Sequence, residues 1–196
     1  MVNKILVLGL AVLVFFQLQF ANENLINNSK EVAMKKVLVL YASKAGSTKE
    51  VAEFIGQEMT KSGAQVFVAE AEKNIDPSAY NAVIIGSPIY MGKWLSEARD
   101  YLKLHEKILK NKPTAIFFTC LSMSDPAKKN EAEKYLAEEK KLINPILVGK
   151  FAGKMDSSKL SFFYRMIAKI VGAKDGDFRD WSAIAQWSRD FYSKIM

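Results

Sequence analysis

The stretch KVLVLYASKAGST, residues 36–48, decides how the rest of the chain is read. Lys36 to Ala42 is a short and nearly continuous β-branched and aliphatic run, the pattern of a strand covered on both faces. From Ser47 to Ser62 the period changes to that of a helix, with Val51, Ile55 and Met59 on one stripe. Ser47 and Glu50 make a capping-box pattern at its start, and Gly63 stops it. Between strand and helix lies Ser43-Lys44-Ala45-Gly46-Ser47-Thr48, with hydroxyls at 43, 47 and 48 around a glycine. At a helix N-terminus, free backbone N–H groups and the positive end of the dipole attract a phosphate. A plain capped turn would account for Ser47 and Glu50 alone, but would not ask for three hydroxyls around Gly46. The G-x-x-x-x-G-K-[ST] spacing of a Walker loop is absent, and so is the G-x-G-x-x-G of dinucleotide enzymes.

Working outward, the same alternation repeats. Gln65–Glu70 reads as a second strand, and a connection with Asp76, Pro77 and Tyr80 leads to a third at Ala82–Gly86. A helix is expected over Leu95–Asn111, and Pro113 opens a fourth strand, Thr114–Cys120. Asp125 as cap and Pro126 in the first turn start a charged helix that runs to Leu142. Ile146–Phe151 is the fifth strand, followed by helices over Leu160–Val171 and Asp180–Ile195. Such alternation predicts an α/β fold: a doubly wound, five-stranded parallel sheet with right-handed crossovers and helices on both faces. In these arrangements a ligand sits at the carboxyl ends of the strands, where strand order reverses. The loops after strands one, three and four are therefore the places to look for chemistry.

The loop after strand three is Gly86-Ser87-Pro88-Ile89-Tyr90-Met91-Gly92-Lys93-Trp94. Two glycines and a proline shape it, and Tyr90 and Trp94 offer flat faces to a planar ring; Trp94 can equally pack the loop onto the next helix. The loop after strand four is Thr119-Cys120-Leu121-Ser122-Met123-Ser124, whose N–H groups could meet the polar edge of a ring. Cys120, ending a buried strand, reads as inert packing, and Met123 as filler. His105 reads as a surface residue, and Trp187 and Phe191 as core of the last helix.

Of the 196 residues, 49% are hydrophobic and 25% charged, an ordinary globular composition that argues against wholesale disorder. The net charge of +7 favours anionic partners. The basic residues are scattered without an RNA-binding or zinc-finger signature, so no nucleic-acid partner is expected. A single cysteine excludes an internal disulfide and a Cys-rich zinc site, and no metal is expected. With one histidine, His105, in a segment unrelated to Cys120, a Cys–His nucleophile pair is disfavoured as well.

Residues 1–21 hold the apolar run Ile5–Phe16 behind Lys4, the make-up of a signal peptide or signal anchor rather than a full span of about 20 residues. Residues 22–34 read as a polar tether and 35–196 as the folded domain; the competing reading of the run is a buried first strand. An exported or membrane-anchored domain is expected, with the cytoplasmic face of the membrane as the alternative.

The phosphate loop Ser43–Thr48 together with GSPIYMG (86–92) resembles the flavodoxin family, from strand one to the end of the chain. The resemblance implies a flavodoxin-like sheet with strand order 2-1-3-4-5 and non-covalent binding of flavin mononucleotide (FMN). By that analogy Ser43, Lys44, Ala45, Gly46, Ser47 and Thr48 hold its phosphate. Ser87, Pro88, Ile89, Tyr90, Met91 and Gly92 would face one side of the isoalloxazine, and Thr119, Cys120, Leu121 and Ser122 the other. Ala45 departs from electron-carrier flavodoxins, which often have threonine there. In the C-terminal third, Lys150-Phe151-Ala152-Gly153, then KLSFFYRMIAKIVG (159–172) and Asp180-Trp181, are similar in order to the menaquinone-dependent protoporphyrinogen oxidases. That branch implies a quinone partner and a porphyrinogen-like substrate, with no side chain standing out as a catalytic base. Phe162, Phe163, Met166, Ile167, Ile170 and Val171 form a stripe that could lie on an anionic bilayer or simply pack on the sheet. The alternative within the same family is a flavodoxin-type carrier that shuttles electrons between redox proteins.

Overall fold

In the computed structural model the run Lys36–Tyr41 is strand β1, and every residue after Lys36 in it is buried. β1 lies between β2 (Gln65–Glu70) and β3 (Ala82–Tyr90), parallel to both, with Val39 in register with Val68 on one side and Ile84 on the other. β3 pairs in parallel with β4 (Thr114–Thr119), and β4 with β5 (Leu147–Phe151). The strand order is β2-β1-β3-β4-β5, the order that the family resemblance implies. The structure describes residues 15–19, 34–125, 134–159, 165–166 and 175–196. Two units are distinguished, residues 1–34 and 35–196. In the first, residues 15–19 are helical and exposed. No helix among the described residues is long and apolar enough to cross a membrane.

Alternate side chains of β1 feed two cores. Val37, Val39 and Tyr41 pack with α1 (Ser47–Lys61) and α5 (Trp181–Ile195) on one face. Leu38 and Leu40 pack on the other face with α2 (Ser96–Leu104), α3 (Glu106–Leu109) and α4 (Ala137–Ile143). A strand buried on both sides has no polar face, which is why β1 shows no alternation in sequence. Each Val or Leu so buried contributes about 1.5–3 kcal/mol. Trp187 and Phe191 are core residues, and Phe191 is fully buried.

Several local expectations are corrected. The helix expected over Leu95–Asn111 is broken at His105 into α2 and α3. His105 is half-buried rather than a surface residue: its ring lies 4.5 Å from that of Tyr101, and its Nε2 is 2.7 Å from Asn74 Oδ1. Burial holds its pKa below the ordinary value. The start of the helix after strand four, placed at Pro126, and the helix Leu160–Val171 fall mostly outside the described residues, as does most of the N-terminal leader and tether.

Candidate functional site

The three loops meet at the carboxyl edge of the sheet, where the order reverses between β1 and β3. Ala42 N–H donates to Gly86 O at 2.9 Å and Cys120 N–H to Phe151 O at 3.0 Å, extending the sheet past its strands. Pro88 is in register with Thr119, so the second and third loops leave side by side. Thr48, in the first turn of α1, is buried with its Oγ1 2.7 Å from Thr119 Oγ1, which fastens the first loop to the third.

The first loop turns on Gly46, at φ +87°, the residue preceding α1. The capping box is not formed: no side chain caps this helix, and both residues of the pattern serve elsewhere. Ser47 lies inside the helix, where its Oγ accepts the Lys154 N–H at 3.0 Å. Glu50 turns to Arg179, 2.7 Å away. Gly46 N–H donates to Ser43 Oγ at 3.1 Å. A Cβ built on Gly46 would meet no atom of the described residues within 4 Å beyond its chain neighbours, so space is open beside the uncapped N-terminus. Ser43 and Ser47 each accept one hydrogen bond and keep their own O–H to donate. An open helix N-terminus with two hydroxyl donors fits a phosphate. Lys44 is exposed, with Nζ 4.2 Å from the centre of the Tyr90 ring, which joins the first loop to the second; Ala45 is half-buried.

The second loop is more regular than expected. β3 continues through Ser87-Pro88-Ile89-Tyr90 and turns at Met91 and Gly92 (φ 50° and 77°) into the short strand Lys93–Trp94, which pairs back antiparallel. Positive φ at both corners is the mark of a tight two-residue hairpin. Trp94 is buried against the core at 3% exposure, so of the two aromatics only half-buried Tyr90 is left for a ring ligand. Ser87 is fully buried; its hydroxyl donates to Pro88 O and accepts from Leu95 N–H, which leaves it no proton to donate to a ligand. Pro88 and Ile89 are half-buried, and Met91 projects at 85% exposure.

In the third loop Thr119 and Met123 are buried, and Cys120, Leu121 and Ser122 half-buried. Cys120 packs against the core, with its Sγ 3.0 Å from Ser122 Oγ. The Thr48–Thr119 pair yields a direct expectation. Thr48→Val leaves the Thr119 hydroxyl buried without a partner and is expected to cost about 1–3 kcal/mol in urea unfolding, whereas the double variant with Thr119→Val recovers most of that loss.

Sequence reasoning missed Arg179. It donates from Nε and Nη2 to the two oxygens of Asp177 (2.8 and 2.6 Å), from Nη1 to Glu50, and stacks 4.4 Å above the Trp181 ring. The guanidinium fork holds the Asp177 carboxyl below the ordinary carboxylate range. The DGDFRD run (175–180) hints at the Asp177 pairing, but Glu50 is too remote in sequence to be foreseen. Among the described residues no cluster of His, Cys, Asp and Glu could hold a metal ion. A shallow groove between α1 and β2, lined by Glu53, Gly56, Gln57 and Val68 among others, includes none of the three loops.

A doubly wound parallel sheet with an open helix N-terminus and an aromatic hairpin at its switch point has the architecture of a flavodoxin-like protein. Residues 38–181 match the model of the flavodoxin domain family, and the chain belongs to that family. It is 25% identical over 170 residues to the protoporphyrinogen IX dehydrogenase [quinone] of Escherichia coli K12, covering 79% of this chain and 93% of that one. The Leishmania major protein of the same name is 28% identical over 172 residues, 80% of this chain and 74% of its own. Among solved structures, oxidised flavodoxin 2 from Bacillus cereus superposes with a TM-score of 0.56 at 21% identity, over 81% of this chain and 99% of that one. The rubredoxin oxygen:oxidoreductase of Desulfovibrio gigas gives 0.55 at 15% identity over 82% of this chain, which spans only 36% of that larger protein.

Proposed function

We propose that this chain is an FMN-dependent dehydrogenase that passes electrons from a porphyrinogen-like substrate to a quinone. The observation that carries the cofactor is the side-chain-uncapped N-terminus of α1, open beside Gly46 and flanked by the Ser43 and Ser47 hydroxyls. Ser43, Lys44, Ala45, Gly46, Ser47 and Thr48 hold the phosphate, Thr48 through its backbone because its hydroxyl is engaged by Thr119. Ser87 to Gly92 line one side of the ring, with Tyr90 as the flat contact, and Thr119 to Ser122 the other. When bound, the flavin supplies the redox chemistry, and the protein supplies position and electrostatics.

The substrate and acceptor are supported by the names of the two dehydrogenase relatives, and the net charge of +7 suits a substrate bearing carboxylates. Over one turnover an electron pair and its protons leave the porphyrinogen, and the quinone departs as quinol. A quinone resides in the bilayer, and the apolar segment Ile5–Phe16 supports a domain held at or anchored in the membrane.

The test is anaerobic. The full chain is loaded with FMN, mixed with protoporphyrinogen, and then given a menaquinone analogue while the flavin absorbance is followed. Bleaching followed by recovery is expected. A flavin that stays oxidised with the porphyrinogen, yet accepts electrons from dithionite, makes the protein an electron carrier instead. Failure to bind FMN at all removes the reading of the Ser43–Thr48 loop.

A further inference from the structure

Arg179 carries a charge into the interior beside the first loop: its side chain is 2% exposed. Burying a guanidinium is unfavourable unless its hydrogen bonds are met. Here Asp177 takes the Nε–Nη2 fork at 2.8 and 2.6 Å, Glu50 takes Nη1 at 2.7 Å, and Ser47 O lies 3.5 Å from the same Nη1. Two carboxylates surround one cation, so Arg179 has no charge left over to attract an anion for itself. Its partners on α1 are the informative part. Glu50 is the only acidic residue in the first turn, so its charge competes with any anion for the positive end of the helix. Ser47 carries one of the two hydroxyls available to a phosphate. Its Oγ is meanwhile fixed by the Lys154 N–H, from a two-residue strand that pairs with Gly176–Asp177. Arg179 and Lys154, the latter on the strand paired with Gly176–Asp177, thus grip the first turn of α1 from two directions.

We infer that Arg179 is a positioning residue for the phosphate loop, neutralising Glu50 and holding Ser47 so that the N-terminus of α1 is left for the anion of the cofactor. The inference rests on the FMN reading above and deepens it. It separates two flavins that differ in one group, since FMN carries the phosphate and riboflavin does not. Loss of Arg179 weakens FMN and spares riboflavin, because the ring contacts of the second and third loops do not involve it.

The experiment measures dissociation constants of both flavins by fluorescence quenching on the flavin-stripped full chain, for the wild type, R179Q and R179K. Wild type is expected to prefer FMN strongly. R179Q is expected to lose roughly 5- to 50-fold in FMN affinity, with riboflavin within about twofold. R179K, which keeps the charge but cannot fork onto Asp177 while reaching Glu50, falls between them. Higher salt narrows the difference between wild type and R179Q, because the unmasked Glu50 charge is screened. An FMN-to-riboflavin ratio unchanged in both variants, or in R179K alone should R179Q fail to fold, overturns the inference. Equal loss of both flavins also overturns it, since that marks a role in the fold only. A wild type that binds both flavins alike removes the phosphate reading itself, and the inference with it.

Discussion

Gly86→Ala is expected to destabilise the protein by about 3 kcal/mol, with a matching drop in the urea midpoint and little change in slope. Gly86 sits in β3, in register with Phe117 of β4. A methyl group there would come within 2.0 Å of Phe117 Cζ, far inside contact distance. The ring cannot step aside. Phe117 is fully buried, with Phe151 and Trp187 packed at ring-centre distances of 6.0 and 6.2 Å. The strand must therefore bend or the aromatic group must repack, and a close-packed core resists both. Because Gly86 also accepts the Ala42 N–H that opens the first loop, the variant is expected to bind flavin weakly even where it remains folded. Restoring space with Phe117→Leu in the Gly86→Ala background should return part of the stability, which checks that the clash is the cause.

Gly46→Val is expected to lower FMN affinity on the order of 100-fold, measured by fluorescence quenching at fixed salt. Gly46 holds φ +87°, a region that disfavours a β-branched residue by about 1–2 kcal/mol, so some stability is lost too. The larger effect arises in the empty space. Among the described residues other than its two chain neighbours, nothing lies within 4 Å of a Cβ at this position, so the isopropyl group takes the room beside the uncapped N-terminus of α1. Gly46→Ala should give a smaller loss in the same direction. An FMN constant within threefold of wild type for the valine variant would place the phosphate elsewhere.

How much of this was legible in the sequence depended on how local each cause was. β1 and α1 were legible to within a residue, because continuous burial and the 3.6-residue stripe are properties of the run itself. The parallel, doubly wound sheet followed from the alternation of strands and helices, and its strand order from the family resemblance. The end of β3 was not legible: Gly-Ser-Pro reads as a loop, yet Ser87 and Pro88 pair with β4 and the chain turns only at Met91-Gly92. Proline is tolerated there because it lies near the end of its strand, past most of the ladder. The capping-box motif was misleading for a related reason. Ser47 and Glu50 have the right spacing, but tertiary partners more than a hundred residues away, Lys154 and Arg179, take both side chains. The aromatic pair in the second loop divided along the same line, with Trp94 drawn into the core and Tyr90 left at the rim.

The grip of Arg179 on the first turn of α1 also bears on the order of events during synthesis. Domains generally form from the N-terminus while the chain is still being made. The first loop lies at residues 43–48, but two of its fastenings, at Lys154 and Arg179, leave the ribosome more than a hundred residues later. A nascent chain can lay down β1 to β4 with this loop still unbraced and with the sheet face that α5 covers still open. A product that stops between Phe151 and Lys154 would have all five strands of the sheet but neither fastening of the first loop.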